Sequence, residues 1–569
     1  MGAGRARKHF TPVTKPENEF VFLPLGGSNE IGMNLNAYGY GPPGRRKWIV
    51  VDIGVTFAAE EHTPGVEIIL PDPEFLESVR EDILAIVLTH AHEDHIGAIG
   101  WLWPRLKVPV YATPFTAHLV RDKLRERGIE REVPLHEVPL KHGFQLGPFW
   151  IEYLTITHSI AEPNGLAITT KLGTVVHTGD WKIDPDPVIG ETTDIDRLRA
   201  LGDDGVLAMV CDSTNVFSPG ESGSEAGVAS ALREVIAEQT GKVAVACFAS
   251  NVARLLSVCE AAAAAGRSVC LVGRSMLRIT SAARAVGLLG SVTFVEPEQA
   301  GYLPDKAILY LCTGSQGEPK AALARIADGS HQHVTLGPGD TVLFSSREIP
   351  GNEREIYDLQ NRLVERGVTV ITGRDRPIHV SGHPCRDELA AMYGWVRPQA
   401  AIPTHGERRH LLEHAAYARA LQVPQTFAPR NGDMVRLAPG PVTAIDEVPA
   451  GRLYVDGDAL LPQDADTLRD RRRMAAEGTL FVTFSVDARG KILAGPDVRA
   501  RGLAERDGSP AETRLELIAD AAEAAFNRLK PGERTDEERA EDVVMRAVRK
   551  AALTIFGKRP MVEVVVMAG

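Results

Sequence analysis

Ile83–Leu88 is an unbroken apolar run of strand length, and it stops at Thr89-His90-Ala91-His92-Glu93-Asp94-His95. The same pattern recurs along the first part of the chain. Phe20–Leu25 and Lys47–Asp52 read as strands, with Gly26-Gly27 and Pro42-Pro43-Gly44 as turns. Trp150–Ile156 and Gly173–His177 read as further strands, which run out into Thr157-His158-Ser159 and Thr178-Gly179-Asp180. Several strands therefore deliver His or Asp to one edge, and that edge is where a site is built. The Ile96–Leu102 segment reads as a helix.

From about Gly220 the rhythm changes. Helix-like Val228–Glu238 and Val252–Ala265 alternate with strand-like Lys242–Cys247 and Ser268–Val272, and Ala307–Leu311, Thr341–Ser345 and Val368–Ile371 continue the series. Such alternation means βαβ units and a mostly parallel sheet. After Ile378 the polar strand-end clusters return, in His379–His383 and Thr404–Glu407. The middle segment therefore reads as an insertion in a body that resumes after it. The chain divides into a flexible basic arm (1–17), a first body (18–218), the insertion (219–376), the resumed body (377–450), a linker (451–475) and a small α+β domain (476–569). The last comprises two strands, helices over about Glu512–Leu529 and Glu537–Phe556, and a final strand, Met561–Met567.

The cluster after Leu88 carries the chemistry. Zinc takes imidazole nitrogen and carboxylate oxygen at about 2.0–2.2 Å, which suits short preorganised loops. In a tight loop alternate side chains diverge, so His90 and His92 can face one ion while Asp94 and His95 face another. His158 is the natural third histidine on the first ion. A carboxylate between two cations gains from both charges, so Asp180 is the expected bridge. His405, in Pro403-Thr404-His405-Gly406-Glu407, is the remaining histidine for the second ion.

These residues resemble the metallo-β-lactamase superfamily, within it the nucleic-acid-processing β-CASP branch, and most specifically the bacterial ribonuclease J family. Leu25-Gly26-Gly27-Ser28-Asn29-Glu30-Ile31-Gly32-Met33-Asn34, Val210-Cys211-Asp212-Ser213-Thr214-Asn215, Phe248-Ala249-Ser250-Asn251, Cys312-Thr313-Gly314-Ser315-Gln316-Gly317-Glu318 and His379-Val380-Ser381-Gly382-His383 carry the likeness over about residues 20 to 435. Ile492–Asp497 resembles the family's C-terminal domain. The resemblance implies an α/β fold, a metallo-β-lactamase αββα sandwich with an inserted parallel-sheet β-CASP domain. It makes Asp212 the acidic motif, His383 the second histidine motif and His405 the third. DNA-directed members lack that third histidine, so His405 favours RNA. Two Zn2+ per chain are implied, with Mn2+ as a substitute.

Two divalent ions can activate water and clamp a phosphodiester for in-line attack. Asp94 and Asp180 serve the metals in that chemistry. His383 is the expected proton donor to the leaving oxygen, with Asp212 orienting it and raising its pKa. His379 and Ser381 are expected at the scissile phosphate. Ser250, Asn251 and Ser315, at strand ends of the insertion, are expected to cradle neighbouring phosphates. The family likeness implies 5′-to-3′ exonucleolysis of 5′-monophosphorylated single-stranded RNA, with some endonuclease activity, in mRNA decay and RNA maturation. Hydrolysis of a small ester or thioester, or a non-catalytic RNA-binding subunit, are the competing readings. The long insertion and the Asp212/His383 pair oppose the first, and the full ligand set opposes the second.

No apolar run approaches the roughly 18 residues a membrane span needs. The start, Met1–Pro16, has no apolar core of a secretory signal. Six cysteines without a C-x-x-C pair read as buried free thiols in a reducing cytoplasm. The expected partners are RNA, RNA-degradation proteins and a second copy of the chain, with a homodimer or homotetramer formed through the C-terminal domain, and no membrane. The formal net charge is −12 in 569 residues. Leu460–Gly569 holds 19 basic and 19 acidic residues, so the surplus acid lies in the part before it. That acidity predicts RNA contacts confined to a channel, not spread over the surface.

Overall fold

The computed structural model describes residues 17–58, 63–349, 351–504 and 511–568. The basic arm of the sequence reading lies almost wholly outside them. Two compact units are present: Leu70–Gly451 together with the chain up to Thr56, and Phe57–Ile69 together with Arg452–Gly569.

In the first unit, two sheets face each other. The eight-stranded sheet contains Glu19–Gly26, Leu35–Gly41, Lys47–Val51 and Ile83–Val87; the seven-stranded sheet contains Phe149–Thr155, Asn164–Thr170, Gly173–His177, Val206–Asp212 and Ala400–Thr404. Between them lies one apolar layer. Phe20, Phe22, Tyr38, Ile49 and Val87 from one sheet meet Phe149, Ile151, Leu166, Val175, Val210 and Ile402 from the other. The seven-stranded sheet buries its second face under helices Ile195–Asp204 and Arg386–Val396 through Leu198, Leu201, Leu389 and Met392. Helix Pro114–Glu126 packs on the far side of the eight-stranded sheet, beside Val110–Ala112 and Leu135–Glu137. The layers run helix, sheet, sheet, helix, as expected.

The insertion is visible in the strand pairing. Val206–Asp212 pairs in parallel with Ala400–Thr404, in register Asp212 to Thr404, across the whole intervening chain. That intervening chain forms its own five-stranded sheet in the order Ser268–Val272, Ile308–Cys312, Val243–Ala246, Thr341–Phe344, Thr369–Thr372, and every pairing is parallel. All six cysteines are buried and unpaired.

Two local readings change. The helix expected over Ile96–Leu102 is split into Glu93–Ile96 and Ile99–Leu106, because the Ala98 amide donates to the Ile53 carbonyl outside the helix. The segment 451–475, read as a linker, instead carries the antiparallel pair Arg452–Asp456 and Ala459–Pro462 and most of helix Asp466–Glu477. Its charges are engaged in the fold: Arg471 makes two hydrogen bonds to Asp456, at 2.9 and 2.7 Å, and Leu468 is buried. The C-terminal elements follow the expected order. Thr479–Val486 lies between Ile492–Arg501 and a parallel Met561–Ala568, with helices Ala511–Asn527 and Glu537–Phe556 on one face.

One buried ion pair ties the inserted sheet together near its strand ends. Arg254 donates through Nε and Nη2 to Glu225 at 3.0 and 2.9 Å, and through Nη1 to the Ser345 carbonyl and hydroxyl at 2.9 and 2.7 Å. Glu225 also accepts from Asn251 Nδ2 at 3.1 Å. Removing one partner strands a buried charge. Glu225→Ala is therefore expected to destabilise the chain by about 3–5 kcal/mol, read as a lower midpoint of urea unfolding; an unchanged midpoint would contradict this role.

Candidate metal centre

The loop after Ile83–Val87 is held from below by Asp52. This fully buried carboxylate accepts from the Thr89 amide and hydroxyl, both at 2.8 Å, and from His95 Nδ1 at 2.7 Å. The backbone closes tightly around it. Any Cβ on Gly54 would lie 1.7 Å from the Asp94 carbonyl oxygen, so only glycine fits. The Asp94 carbonyl also accepts from the Asn34 amide at 2.9 Å, which docks the Leu25–Asn34 segment on the loop.

Three imidazole nitrogens converge. His90 Nε2 and His158 Nε2 each lie 3.1 Å from His92 Nδ1. With Asp180 these groups form one cluster whose ligand atoms all lie within 4.8 Å of one another. Asp94, His95, Asp180 and His405 form a second such cluster. Asp180 belongs to both, and also to a third group with Asp212, His383 and His405. Its Oδ2 lies 3.2 Å from His95 Nε2 and 3.9 Å from His158 Nε2, and its Oδ1 3.6 Å from His405 Nδ1. Asp94 Oδ2 lies 3.1 Å from His405 Nε2.

Elements from distant parts of the chain position these groups. Asp180 follows Gly173–His177 through Gly179, whose φ is +58°. His405 follows Ala400–Thr404 with φ +51°, a left-handed conformation that a non-glycine residue holds only under constraint, and its amide donates to the Gly27 carbonyl at 2.7 Å. Gly382 lets the returning segment approach His158: a Cβ there would lie 2.9 Å from the His158 ring and 2.5 Å from Ser159 Oγ. His90, His95, His158, Asp180, Asp212 and His405 are buried, whereas His92, Asp94 and His383 keep some surface exposed. The cluster therefore opens on that side.

Beside it, His383 Nδ1 lies 2.8 Å from Asp212 Oδ2, and Asp212 Oδ1 accepts from the Thr214 amide and hydroxyl at 2.8 and 2.7 Å. Ser381 Oγ accepts from Asn215 Nδ2 at 2.8 Å and from the His383 amide at 3.2 Å. His379 and Ser315 line a separate cavity of about 410 Å³ that also includes Ser346 and Arg347. Ser250 Oγ reaches His92 Nε2 at 3.1 Å. Asn251, expected at a phosphate, is buried, and its side chain is committed: Oδ1 caps helix Val252–Ala264 through the Arg254 amide at 2.9 Å while Nδ2 holds Glu225. A buried, doubly engaged amide does not extend into the cleft, so this expectation is corrected. Sequence reasoning also missed Asp52, Thr214 and Asn34 as supports. The Asp-x-Gly pattern Asp52-Ile53-Gly54, directly after a strand, was the available signal.

The charges divide between the clusters. Burial, reinforced by the neighbouring imidazoles, pushes His90 and His158 well below the usual histidine pKa. Burial brings His92 down to about 4, against the pull of Asp94 and Asp180. Burial opposes charge on His95 and His405 as well, but there the carboxylates outweigh it, Asp180 foremost, and hold both pKa values well above normal. The first cluster is thus neutral nitrogen with one carboxylate. The second has two carboxylates that attract positive charge. Both donor sets suit zinc. A tetrahedral ion about 2.0–2.1 Å from each nitrogen spaces them about 3.3 Å apart, close to the observed 3.1 Å.

The facing sheets, the inserted parallel sheet and this cluster define a hydrolase of the metallo-β-lactamase superfamily. Its profile matches residues 36–200. Residues 240–363 match the β-CASP domain of ribonuclease J, residues 466–569 the ribonuclease J C-terminal domain, and residues 374–428 a Zn-dependent metallo-hydrolase RNA specificity domain. The chain is 46% identical to the ribonuclease J of Sinorhizobium meliloti over 96% of its own length and 97% of that protein. It is 36% identical to that of Corynebacterium glutamicum (99% and 78%) and 35% identical to that of Thermus thermophilus (97% and 96%). The chain belongs to the ribonuclease J family, a family of hydrolytic ribonucleases. A solved structure of a protein of unknown function from Enterococcus faecalis covers 74% of this chain and 100% of its own at 15% identity and a TM-score of 0.52, a likeness of fold alone.

Asp52 fixes the orientation of His95 without belonging to either cluster. Asp52→Asn is expected to weaken divalent-metal binding about 10–100-fold, measured by competition with a chelator. Wild-type affinity in that variant would contradict the role.

Proposed function

We propose that the chain is a two-zinc ribonuclease that degrades 5′-monophosphorylated single-stranded RNA from 5′ to 3′, with some internal cutting, in mRNA decay and RNA maturation in the cytoplasm. Manganese is the alternative metal. His90, His92, His158 and Asp180 would hold one ion, and Asp94, His95, His405 and Asp180 the other. The observation that carries this reading is the shared Asp180 carboxylate, next to the Asp212–His383 pair. When bound, the ions supply an activated water and positive charge against the phosphodiester.

The rest falls to side chains. Burial opposes charge on His383, but Asp212 outweighs it and raises the pKa, which favours the protonated imidazole. With Nδ1 engaged by Asp212, the proton on Nε2 is the one available to the leaving 3′-oxygen. Asp212 stays ionised because burial, which would protonate it, is overcome by His383 and the hydrogen bonds it accepts. Ser250 and Ser381 hydroxyls are suited to phosphate oxygens on the open side of the cluster. His379 and Ser315, at the cavity of about 410 Å³, are suited to a nucleotide further along the strand.

Among the described residues no helix is long and apolar enough to cross a membrane. The domain limits proposed are those of the sequence reading, except that the final unit begins near Arg452. For the oligomer, Met561–Ala568 is an edge strand of its sheet with Val565 and Met567 exposed, which supports pairing of copies through the C-terminal unit.

A time course on RNA labelled at its 5′ end, with monophosphate, triphosphate or hydroxyl termini, tests the reading. Labelled mononucleotide should appear first and fastest from the monophosphate substrate. Label that stays in long fragments would overturn the polarity. His383→Ala should lower kcat about 10²–10⁴-fold; an unchanged kcat would remove His383 from the chemistry.

A further inference from the structure

Each clustered histidine has its second ring nitrogen held. His90 Nδ1 meets Thr89 Oγ1 at 3.0 Å, His95 Nδ1 meets Asp52 at 2.7 Å, and His405 Nδ1 meets Thr214 Oγ1 at 2.8 Å. Those partners all lie next to strands of the two-sheet sandwich. His158 Nδ1 meets the Gly382 carbonyl at 2.5 Å, in the segment returning from the insertion. His92 differs most. Its Nε2 meets Ser250 Oγ at 3.1 Å, and Ser250 stands just beyond strand Val243–Ala246 of the inserted parallel sheet.

The contact decides which His92 nitrogen is free. Nδ1 is the atom that faces His90 and His158. To offer a lone pair there, the neutral ring must carry its proton on Nε2, and that N–H then donates to Ser250 Oγ. A second-sphere acceptor of this kind fixes both tautomer and ring orientation, and raises ligand basicity. The serine is itself firmly placed. Its neighbour Asn251 caps helix Val252–Ala264, and Arg254, one turn on, is locked between Glu225 and Ser345.

We propose that Ser250 is a positioning residue for His92, so that the inserted sheet sets the metal affinity of the first cluster while the second is held by the sandwich alone. The proposal rests on the two-metal reading above. It gives the serine a function that does not require RNA. Its hydroxyl hydrogen stays free to meet a phosphate oxygen, so occupancy of the first metal site and binding of the substrate phosphate are coupled through one atom, and the coupling is reciprocal.

The test is a Zn2+ titration of the full-length apo chain against a chromophoric chelator, without RNA, for wild type, Ser250→Ala and Ser250→Thr. The wild type should take up two equivalents. Ser250→Ala should weaken one of them about 10-fold and leave the other unchanged. Ser250→Thr, which keeps the hydroxyl, should restore the weakened equivalent. Wild-type affinities at both equivalents in Ser250→Ala would overturn the proposal, and the serine would then be an RNA contact only. Equal weakening of both, without rescue by threonine, would also overturn it, as a general loss of structure. A wild-type chain that takes up fewer than two equivalents contradicts the two-metal reading itself, and the proposal with it.

Discussion

A carboxylate buried among imidazoles is the constraint on which this fold turns. Asp180 has almost no contact with water, and neither does His95 beside it. A buried anion is tolerated only when it is paired and hydrogen-bonded. Here the partners come from four separated stretches of chain: the Thr89–His95 loop, His158, His383 and His405. The two sheets must therefore present their strand ends at one edge. The backbone yields where it has to, with a left-handed His405 and with glycines at 54 and 382 that allow close approach.

That arrangement also explains why the inserted sheet is more than a cover. Its chain leaves the sandwich after Asp212 and returns before His383, and those two residues meet at 2.8 Å. The crossings out and back are thereby pinned at the site. On the inserted side Arg254 and Ser345 both donate to the Ile378 carbonyl that precedes His379, at 3.3 and 2.6 Å. The acidity of the chain fits this architecture. Several of its acids (Asp52, Asp94, Asp180, Asp212) point inward at histidines and do not repel a polyanion across the surface.

Much of this was legible in the sequence because the clustered histidines and aspartates sit in short, dense motifs at the ends of strands. Three histidines and an aspartate after one apolar run have few other uses, and Gly173–His177 was read with its observed limits. The supports were harder to see, since they are long-range. The Asp52-Ile53-Gly54 pattern marks a turn after a strand but not the distant His95 that Asp52 holds, and nothing local marks Thr214 as the partner of His405. Asn251 was read as a ligand-binding turn residue, and helix capping claimed it, a role that asparagine plays as readily. The stretch 451–475 looked like a linker because its charges are frequent. Arg471 and Asp456 pair with each other, and the short apolar run Leu453-Tyr454-Val455 is enough for a strand.

The central claim is that one carboxylate serves two cations. Anomalous scattering at the zinc edge, from crystals of the full chain grown with Zn2+, tests it directly. Two peaks are expected, about 3.5–4 Å apart, one among His90, His92 and His158 and the other among Asp94, His95 and His405, with Asp180 between them. A single peak, or two peaks that do not share Asp180, would contradict the account.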